Sequence, residues 1–148
     1  AAEAQTPTGL DRERNRLLPA VQDGVPLIHL AVMEQSLAAV NQILAETPQA
    51  ATERDAYGYL PLHRAAALPD TSVLDALLSA TKVLNDAANP ARWTPLHIAA
   101  SSGNAPAVQA LLERRADPRA KDAAGNDPAY VARELGYSEL EAQIRRAP

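Results

Sequence analysis

Residues 94–103 read Thr94-Pro95-Leu96-His97-Ile98-Ala99-Ala100-Ser101-Ser102-Gly103 and carry the signals of a short helix. The Thr94 hydroxyl can cap the first turn, and Pro95 stands where the backbone N–H has no helical partner. Gly103 is the residue type that most often follows the end of a helix. Because so short a helix is unstable alone in water, the segment is predicted to be one part of a repeated unit.

Related segments surround all three histidines, which recur at an equal interval along the chain. The two earlier copies are Pro26-Leu27-Ile28-His29-Leu30-Ala31 and Leu60-Pro61-Leu62-His63-Arg64-Ala65-Ala66. A fourth copy follows the third at nearly the same interval and reads Asp127-Pro128-Ala129-Tyr130-Val131-Ala132. After each copy, apolar residues recur at helical spacing. The pattern predicts an all-α chain in which a turn, a short helix and a longer helix recur.

The recurring unit resembles the ankyrin repeat, whose signature is a period of about 33 residues and a T-P-L-H-x-A string. Residues 94–99 match that string at every fixed position. The resemblance implies a solenoid of stacked helix-turn-helix units with hairpin-like loops, called fingers below. It also implies that the chain recognises a protein. The implied ankyrin-repeat domain covers residues 21–148, with repeats at about 21–54, 55–88, 89–121 and 122–148.

Residues 1–20 are predicted to form an N-terminal tail and a capping helix. Leu10, Leu17, Leu18 and Val21 fall on one face of a helix. The charged face is formed by Arg12, Glu13, Arg14 and Arg16.

Several positions depart from the family pattern. Pro26 stands one place early in the first copy, which alters the start of that helix. Leu60 replaces the capping threonine in the second copy, whereas Asp127 in the fourth copy can still cap. Arg92 replaces a glycine at a turn that favours positive φ, so an unusual finger shape is expected there. Repeats one and two are therefore predicted to be degenerate, and repeat three is closest to the family.

The histidines are the first candidates for a metal site or a general base, but the repeat argues against both. Equivalent residues of stacked units lie about 10 Å apart, whereas bonds from zinc to nitrogen are about 2 Å long. By resemblance these histidines are structural and hydrogen-bond to the turn and to the next repeat. The chain also has no cysteine, no Gly-rich phosphate loop and no Gly-x-Ser-x-Gly motif. No catalytic, cofactor-binding or metal-binding residue is predicted, and the chain is not expected to be an enzyme.

The composition argues against some classes of partner, but it does not decide where in the cell the protein is located. A net charge of −4 argues against nucleic acid, and no apolar run is long enough to span a membrane. The absence of cysteine is compatible with a protein of the cytoplasm or of the periplasm. The start Ala1-Ala2-Glu3-Ala4 without Met fits either a cleaved signal peptide or an arbitrary boundary, so a bacterial periplasmic location stands beside a cytoplasmic one. By resemblance a monomer is expected.

Three of the five aromatic residues precede the short helices: Tyr57, Tyr59 and Trp93. Tyrosine and tryptophan often carry interface binding energy. By resemblance Tyr59 and Trp93 are neighbours on a ridge of fingers. The alternative is that they pack on each other and on the stems of Arg64 or Arg92.

The predicted function is a non-catalytic module that captures a protein partner as an adaptor, scaffold or regulator. The alternative is an inhibitor or immunity-type protein that blocks a partner enzyme. The partner-binding residues are expected on the fingers and at the ends of the short helices, on the concave side. They are Tyr57, Tyr59, Arg92, Trp93 and Asn126 on the fingers, and Met33, Leu68 and Ser101 on the concave side.

Overall fold

The computed structural model describes residues 25–148, and the predicted tail and capping helix over residues 1–20 lie outside this range. Within it the chain forms eight α-helices, one 3₁₀ turn (Pro48–Thr52) and no strand. The helices are α1 (Leu27–Met33), α2 (Leu37–Glu46), α3 (Pro61–Ala65), α4 (Ser72–Ala80), α5 (Pro95–Ser101), α6 (Ala105–Glu113), α7 (Pro128–Glu134) and α8 (Ser138–Arg145).

The helices form two layers. Each short helix packs on the longer helix that follows it, which pairs α1 with α2, α3 with α4, α5 with α6 and α7 with α8. The short helices α1, α3, α5 and α7 also pack on one another in that order, and so do the longer helices α2, α4, α6 and α8. This architecture confirms the predicted all-α stack of helix-turn-helix units, in which each unit hides its apolar face against its neighbours.

Alanine sets the spacing of the short helices. One alanine of each repeat occupies the same place in the layer and is fully buried; the four are Ala31, Ala65, Ala99 and Ala132. Small side chains at a contact let helix axes approach towards the lower end of the usual range of about 8–10 Å. The high alanine content therefore reflects close packing between repeats.

The helix starts follow the predicted caps. Thr94 Oγ1 accepts the His97 N–H at 3.3 Å, and Asp127 Oδ1 accepts the Tyr130 N–H at 2.8 Å. Leu60 has no side-chain acceptor, so its carbonyl alone accepts the His63 N–H, at 3.1 Å. The helix behind Leu60 is α3, the shortest of the short helices in the described chain, with five residues.

Each finger is a tight turn closed at its base, and the three span residues 55–59 (finger 1), 89–93 (finger 2) and 122–126 (finger 3). In finger 1 the Asp55 N–H donates to Tyr59 O at 3.0 Å, and Asp55 Oδ1 accepts the Tyr59 N–H at 2.9 Å. Asp122 and Asn126 make the same two bonds in finger 3, both at 2.9 Å.

Finger 2 keeps the turn but closes it differently. Arg92 has a φ of 54°, in the same left-handed region as Gly58 at 87° and Gly125 at 82°. The demand for positive φ at Arg92 is therefore confirmed. Asn89 makes both closing bonds with its side chain, because Oδ1 accepts the Trp93 N–H at 2.9 Å and Nδ2 donates to Trp93 O at 2.7 Å. The predicted unusual shape is thus limited to this closure.

Candidate functional site

A depression opens between finger 1 and the short helices α3 and α5. Its volume is about 230 Å³. This concave pocket is lined by Tyr57, Tyr59, His63, Arg64, Ala67 and Ile98. Its wall is mostly aromatic and aliphatic, as in surfaces that accept an apolar side chain of a partner.

The two tyrosines of the concave pocket have different environments. Tyr57 is 68% exposed, and its backbone N–H donates to Asp55 Oδ1 at 2.9 Å. Tyr59 is half-buried, and its ring meets the His63 ring edge-on with centroids 5.4 Å apart. Tyr57 is therefore an exposed aromatic side chain on a turn that is already ordered, which lowers the entropy lost on binding.

Arg64 brings a charge to the pocket that is neutralised locally. Its guanidinium forms an ion pair with the buried Asp55 at 2.5 Å, and its Nε donates to His29 Nδ1 at 3.1 Å. Burial works to raise the pKa of Asp55, but the N–H groups of finger 1 and the Arg64 guanidinium outweigh it and hold that pKa below its usual value. The pocket consequently presents little net charge to a ligand.

Trp93 and Asn126 lie away from this pocket and connect repeats 3 and 4. The Trp93 ring stacks on His97 with centroids 6.2 Å apart and an interplanar angle of 14°. Its Nε1 donates to Asp122 Oδ2 at 3.0 Å, and Asn126 O lies 2.9 Å from His97 Nε2. Trp93 thus matches the packing alternative, with His97 and Asp122 as its partners in place of the arginine stems.

The other predicted residues do not line the pocket either. Arg92 and Met33 are exposed, the latter at 52%. Leu68 is half-buried against the core, and its carbonyl accepts a bond from the next repeat. Ser101 Oγ donates back to Ile98 O at 2.8 Å within α5. Of the eight predicted residues, only Tyr57 and Tyr59 line the concave pocket.

Four pocket residues are not among the predicted partner-binding residues: His63, Arg64, Ala67 and Ile98. Arg64 and Ile98 each directly follow the histidine of their repeat, so they hold equivalent places on the open face of a short helix. The repeat alignment contains this signal, because both residues directly follow a histidine of the repeat.

The histidines bond to backbone carbonyls near the junctions between repeats. The His29 acceptor lies at the end of repeat 1, whereas His63 and His97 reach a carbonyl of the following repeat. Nε2 must carry the hydrogen, because a carbonyl oxygen can only accept. The acceptors are Glu53 O for His29 at 2.7 Å, Asp86 O and Trp93 O for His63 at 2.9 Å each, and Asn126 O for His97 at 2.9 Å.

The other ring nitrogen, Nδ1, faces a donor. It accepts the N–H of the residue three places earlier, which is Leu60 for His63 at 3.1 Å and Thr94 for His97 at 3.2 Å. All three rings are fully buried, and burial lowers their pKa below the ordinary value. The imidazoles are therefore neutral, and their role is structural.

Two further properties concern residues 25–148 alone. This part of the chain gathers no cluster of three or more histidine, aspartate or glutamate side chains suited to a metal ion. Its helices are also too short or too polar to cross a bilayer.

The chain is similar to known proteins over most of its length. A family model described as ankyrin repeats (three copies) matches residues 28–122 and 65–140. The tyrosine-protein kinase Shark of Drosophila melanogaster is 32% identical over 120 residues, which cover 81% of this chain and 13% of the kinase. The ankyrin repeat protein nuc-2 of Neurospora crassa is 36% identical over 118 residues, or 79% of this chain and 11% of that protein.

The probable 26S proteasome regulatory subunit p28 of Saccharomyces cerevisiae is 32% identical over 93 residues, or 62% of this chain and 41% of the subunit. The chain thus spans less than half the length of each of these relatives. All three come from eukaryotes, so they lend no support to a bacterial or periplasmic assignment. They likewise bring no support for the alternative of a protein that blocks an enzyme.

Proposed function

This chain belongs to the ankyrin-repeat family and is a protein–protein interaction module, and we propose that it captures its partner with finger 1 and the concave pocket. We propose further that the chain is a monomer and does not catalyse a reaction. Its proposed parts are an N-terminal tail with a capping helix over residues 1–20 and a repeat domain over residues 21–148. The proposed binding surface also includes the exposed residues Arg92 and Met33.

The observation that carries the proposal is the placement of Tyr57. Its largely exposed ring stands beside the aliphatic side chains of Ala67 and Ile98, on a finger held by Asp55. A partner side chain that enters the pocket would bury this ring without having to order the loop. Aromatic residues in such positions lose about 2 kcal/mol or more of binding free energy when truncated to alanine.

The relatives support a recognition role inside larger assemblies. Their names describe a tyrosine-protein kinase and a probable regulatory subunit of the proteasome, and this chain corresponds to 13% and 41% of them. The stack supplies an ordered surface for such recognition. We therefore propose an adaptor, scaffold or regulator as its role.

The proposal is tested by placing a photo-crosslinking amino acid at Tyr57 and identifying the protein that it captures. The affinity of that protein is then measured for Tyr57→Ala and for a control, Val83→Ala. Val83 is 44% exposed and lies outside the pocket. We expect Tyr57→Ala to weaken binding about thirtyfold and Val83→Ala to leave it unchanged.

Equal affinity of the wild type and Tyr57→Ala for the captured protein would overturn the assignment of this surface. Circular dichroism of each variant checks the fold. Tyr57 is exposed and makes only a backbone hydrogen bond here, so its truncation leaves the stack intact.

A further inference from the structure

A second surface, separate from the concave pocket, lies between the loop after α6 and the last helix, α8. It forms a cavity of about 420 Å³. This basic groove is lined by Pro118, Arg119, Lys121, Asp127, Ala129, Ile144 and Arg145. It shares no residue with the concave pocket, so its role is independent of the function proposed above.

The cations of the basic groove are poorly compensated. In the described part of the chain, lysine and arginine form ion pairs only as Arg54–Asp86, Arg64–Asp55 and Arg145–Glu141. The side chains of Arg119 and Lys121 therefore form no ion pair there. The Arg119 guanidinium makes one long bond of 3.4 Å to a backbone carbonyl, while the Arg119 backbone N–H donates to Asp117 Oδ1 at 2.9 Å. The Arg145 pair is loose, at 3.4 Å, and its guanidinium side chain is 48% exposed.

The one carboxylate of the groove is already engaged. Asp127 Oδ1 accepts the Tyr130 N–H at 2.8 Å and caps α7, as described above. Arg119 and Lys121 also line the groove, and both are exposed. The groove thus offers positive charge that the protein does not pair with charges of its own.

The floor of the basic groove is apolar. Pro118, Ala129 and Ile144 are buried beneath the charged rim. A neighbouring depression of about 470 Å³ shares Pro118 and Arg119 with the groove and adds Arg115 and the carboxylate of Asp117 to its lining. The excess of cations is therefore confined to the basic groove itself.

We propose that the basic groove binds an acidic peptide segment of a second protein. Carboxylates of the segment would pair with Arg119, Lys121 and Arg145, and an apolar side chain between them would rest on the floor. Charge complementarity carries this choice, because uncompensated cations cluster here on a chain whose net charge is −4. Nucleic acid fits less well, because no aromatic ring lines the groove for base stacking.

The test uses the full chain and a fluorescein-labelled peptide of alternating glutamate and leucine, with a glutamine–leucine peptide as its neutral counterpart. Fluorescence anisotropy gives the affinities. We expect only the acidic peptide to bind, and we expect its affinity to fall as salt rises. Arg119→Ala combined with Lys121→Ala is expected to weaken binding about tenfold.

A matched control removes the same charge elsewhere. Lys82→Ala combined with Arg133→Ala changes two exposed residues that lie outside both depressions, and it should leave the affinity unchanged. Arg145→Gln, which keeps most of the side-chain length, is measured in parallel as a second probe of the groove. Its expected effect is a loss of severalfold.

Three results would contradict the proposal: equal binding of the neutral peptide, equal losses in the groove and control variants, or tighter binding of a single-stranded oligonucleotide. Thermal unfolding of each variant shows that the fold is retained. If the double variant unfolds, Arg145→Gln decides the question alone, and unchanged affinity then overturns the proposal.

Discussion

Arg64 makes a hydrogen bond that the first repeat is unable to make for itself. In repeats 2 and 3, the Nδ1 atom of the histidine accepts the backbone N–H three residues earlier. The equivalent residue of repeat 1 is Pro26, which has no N–H, and the Arg64 guanidinium reaches His29 Nδ1 from the next repeat at 3.1 Å. A buried acceptor left without a donor costs about 1–3 kcal/mol.

We expect Arg64→Ala to lower the free energy of unfolding by about 1–3 kcal/mol, since it leaves His29 Nδ1 without a donor and Asp55 without its cation. Pro26→Thr returns an N–H at that position, so part of this loss should disappear when both substitutions are present. Urea unfolding of the wild type, the two single variants and the double variant measures the coupling.

Ile98→Ala serves as the control for this cycle, because Ile98 holds the place of Arg64 in repeat 3, where His97 has its own donor. Its coupling with Pro26→Thr should be close to zero. Strict additivity of Arg64→Ala and Pro26→Thr would show that the two donors do not replace each other.

The sequence revealed the irregular Pro26 but not its compensation. Arg64 belongs to the next repeat, and only the stacking of α3 on α1 brings it to His29. Trp93 shows the same limit, because the sequence leaves partner binding and packing both open for its ring. Its indole N–H needs a partner once it is half-buried, and Asp122 of the next finger supplies one.

At the level of elements, finger 2 stores backbone strain that its counterparts avoid. Arg92 adopts a φ of 54° where fingers 1 and 3 have glycine. A residue with a Cβ atom costs about 1–2 kcal/mol in the left-handed region, and a glycine there removes this strain. Glycine also raises the entropy of the unfolded chain, which lowers the stability by about 0.5–1 kcal/mol. We expect Arg92→Gly to raise the free energy of unfolding by about 0.5–1 kcal/mol in urea unfolding.

Arg133→Gly makes the same chemical change in the last turn of α7, where φ is helical, and it should lower stability by up to about 1 kcal/mol. Finger 1 provides a second comparison. Gly58→Ala should be strongly destabilising, because a Cβ there would lie 2.0 Å from Ala88 O. Lower stability of Arg92→Gly than of the wild type would mean that the Arg92 side chain contributes more than its strain costs.

The elements themselves were largely predictable. The equal spacing of the histidines placed the pairs of helices, and aligning Arg92 with Gly58 and Gly125 identified the left-handed turn. The closure of finger 2 was not predictable, because it depends on which Asn89 atoms come within reach of Trp93. The concave pocket was missed in part for a similar reason, since finger 1 has to fold over α5 before Tyr57 and Ile98 share a wall.

For the whole molecule, the three histidines make stability depend on pH. They are all the histidines of the chain, each is fully buried, and burial holds each pKa below its ordinary value of 6.5. Between that value and the lower pKa of the folded state, the unfolded chain binds more protons than the native one. Stability is therefore complete above about pH 6.5 and falls as the pH decreases below it.

We expect the free energy of unfolding to be nearly constant from pH 8 to pH 7. Below about pH 6.5 it should fall by up to about 1.4 kcal/mol per pH unit for each histidine. Urea unfolding at pH 7.5, 6.5 and 5.5 gives the slope. Protonation also breaks contacts, because Nδ1 of a charged ring no longer accepts the N–H of Leu60 or Thr94.

The buried carboxylates do not contribute to the pH dependence of stability in this range. Burial works to raise the pKa of Asp55 and Asp122, but the N–H groups of their fingers outweigh it and leave both below the usual value. These side chains stay ionised throughout the range from pH 7.5 to 5.5. Equal stability at the two ends of the range would therefore contradict the neutral, buried state assigned to the histidines.

The donor that Arg64 lends to repeat 1 also limits how the stack can lengthen by gene duplication. A third-repeat copy inserted after repeat 1 would bring the counterpart of Ile98 to His29 and leave that histidine unsatisfied. The same copy inserted after repeat 3 carries its own Thr94 and His97 and needs nothing from its successor except a carbonyl. New repeats can therefore be added after repeat 3 without loss of this hydrogen bond, whereas an insertion between repeats 1 and 2 removes it.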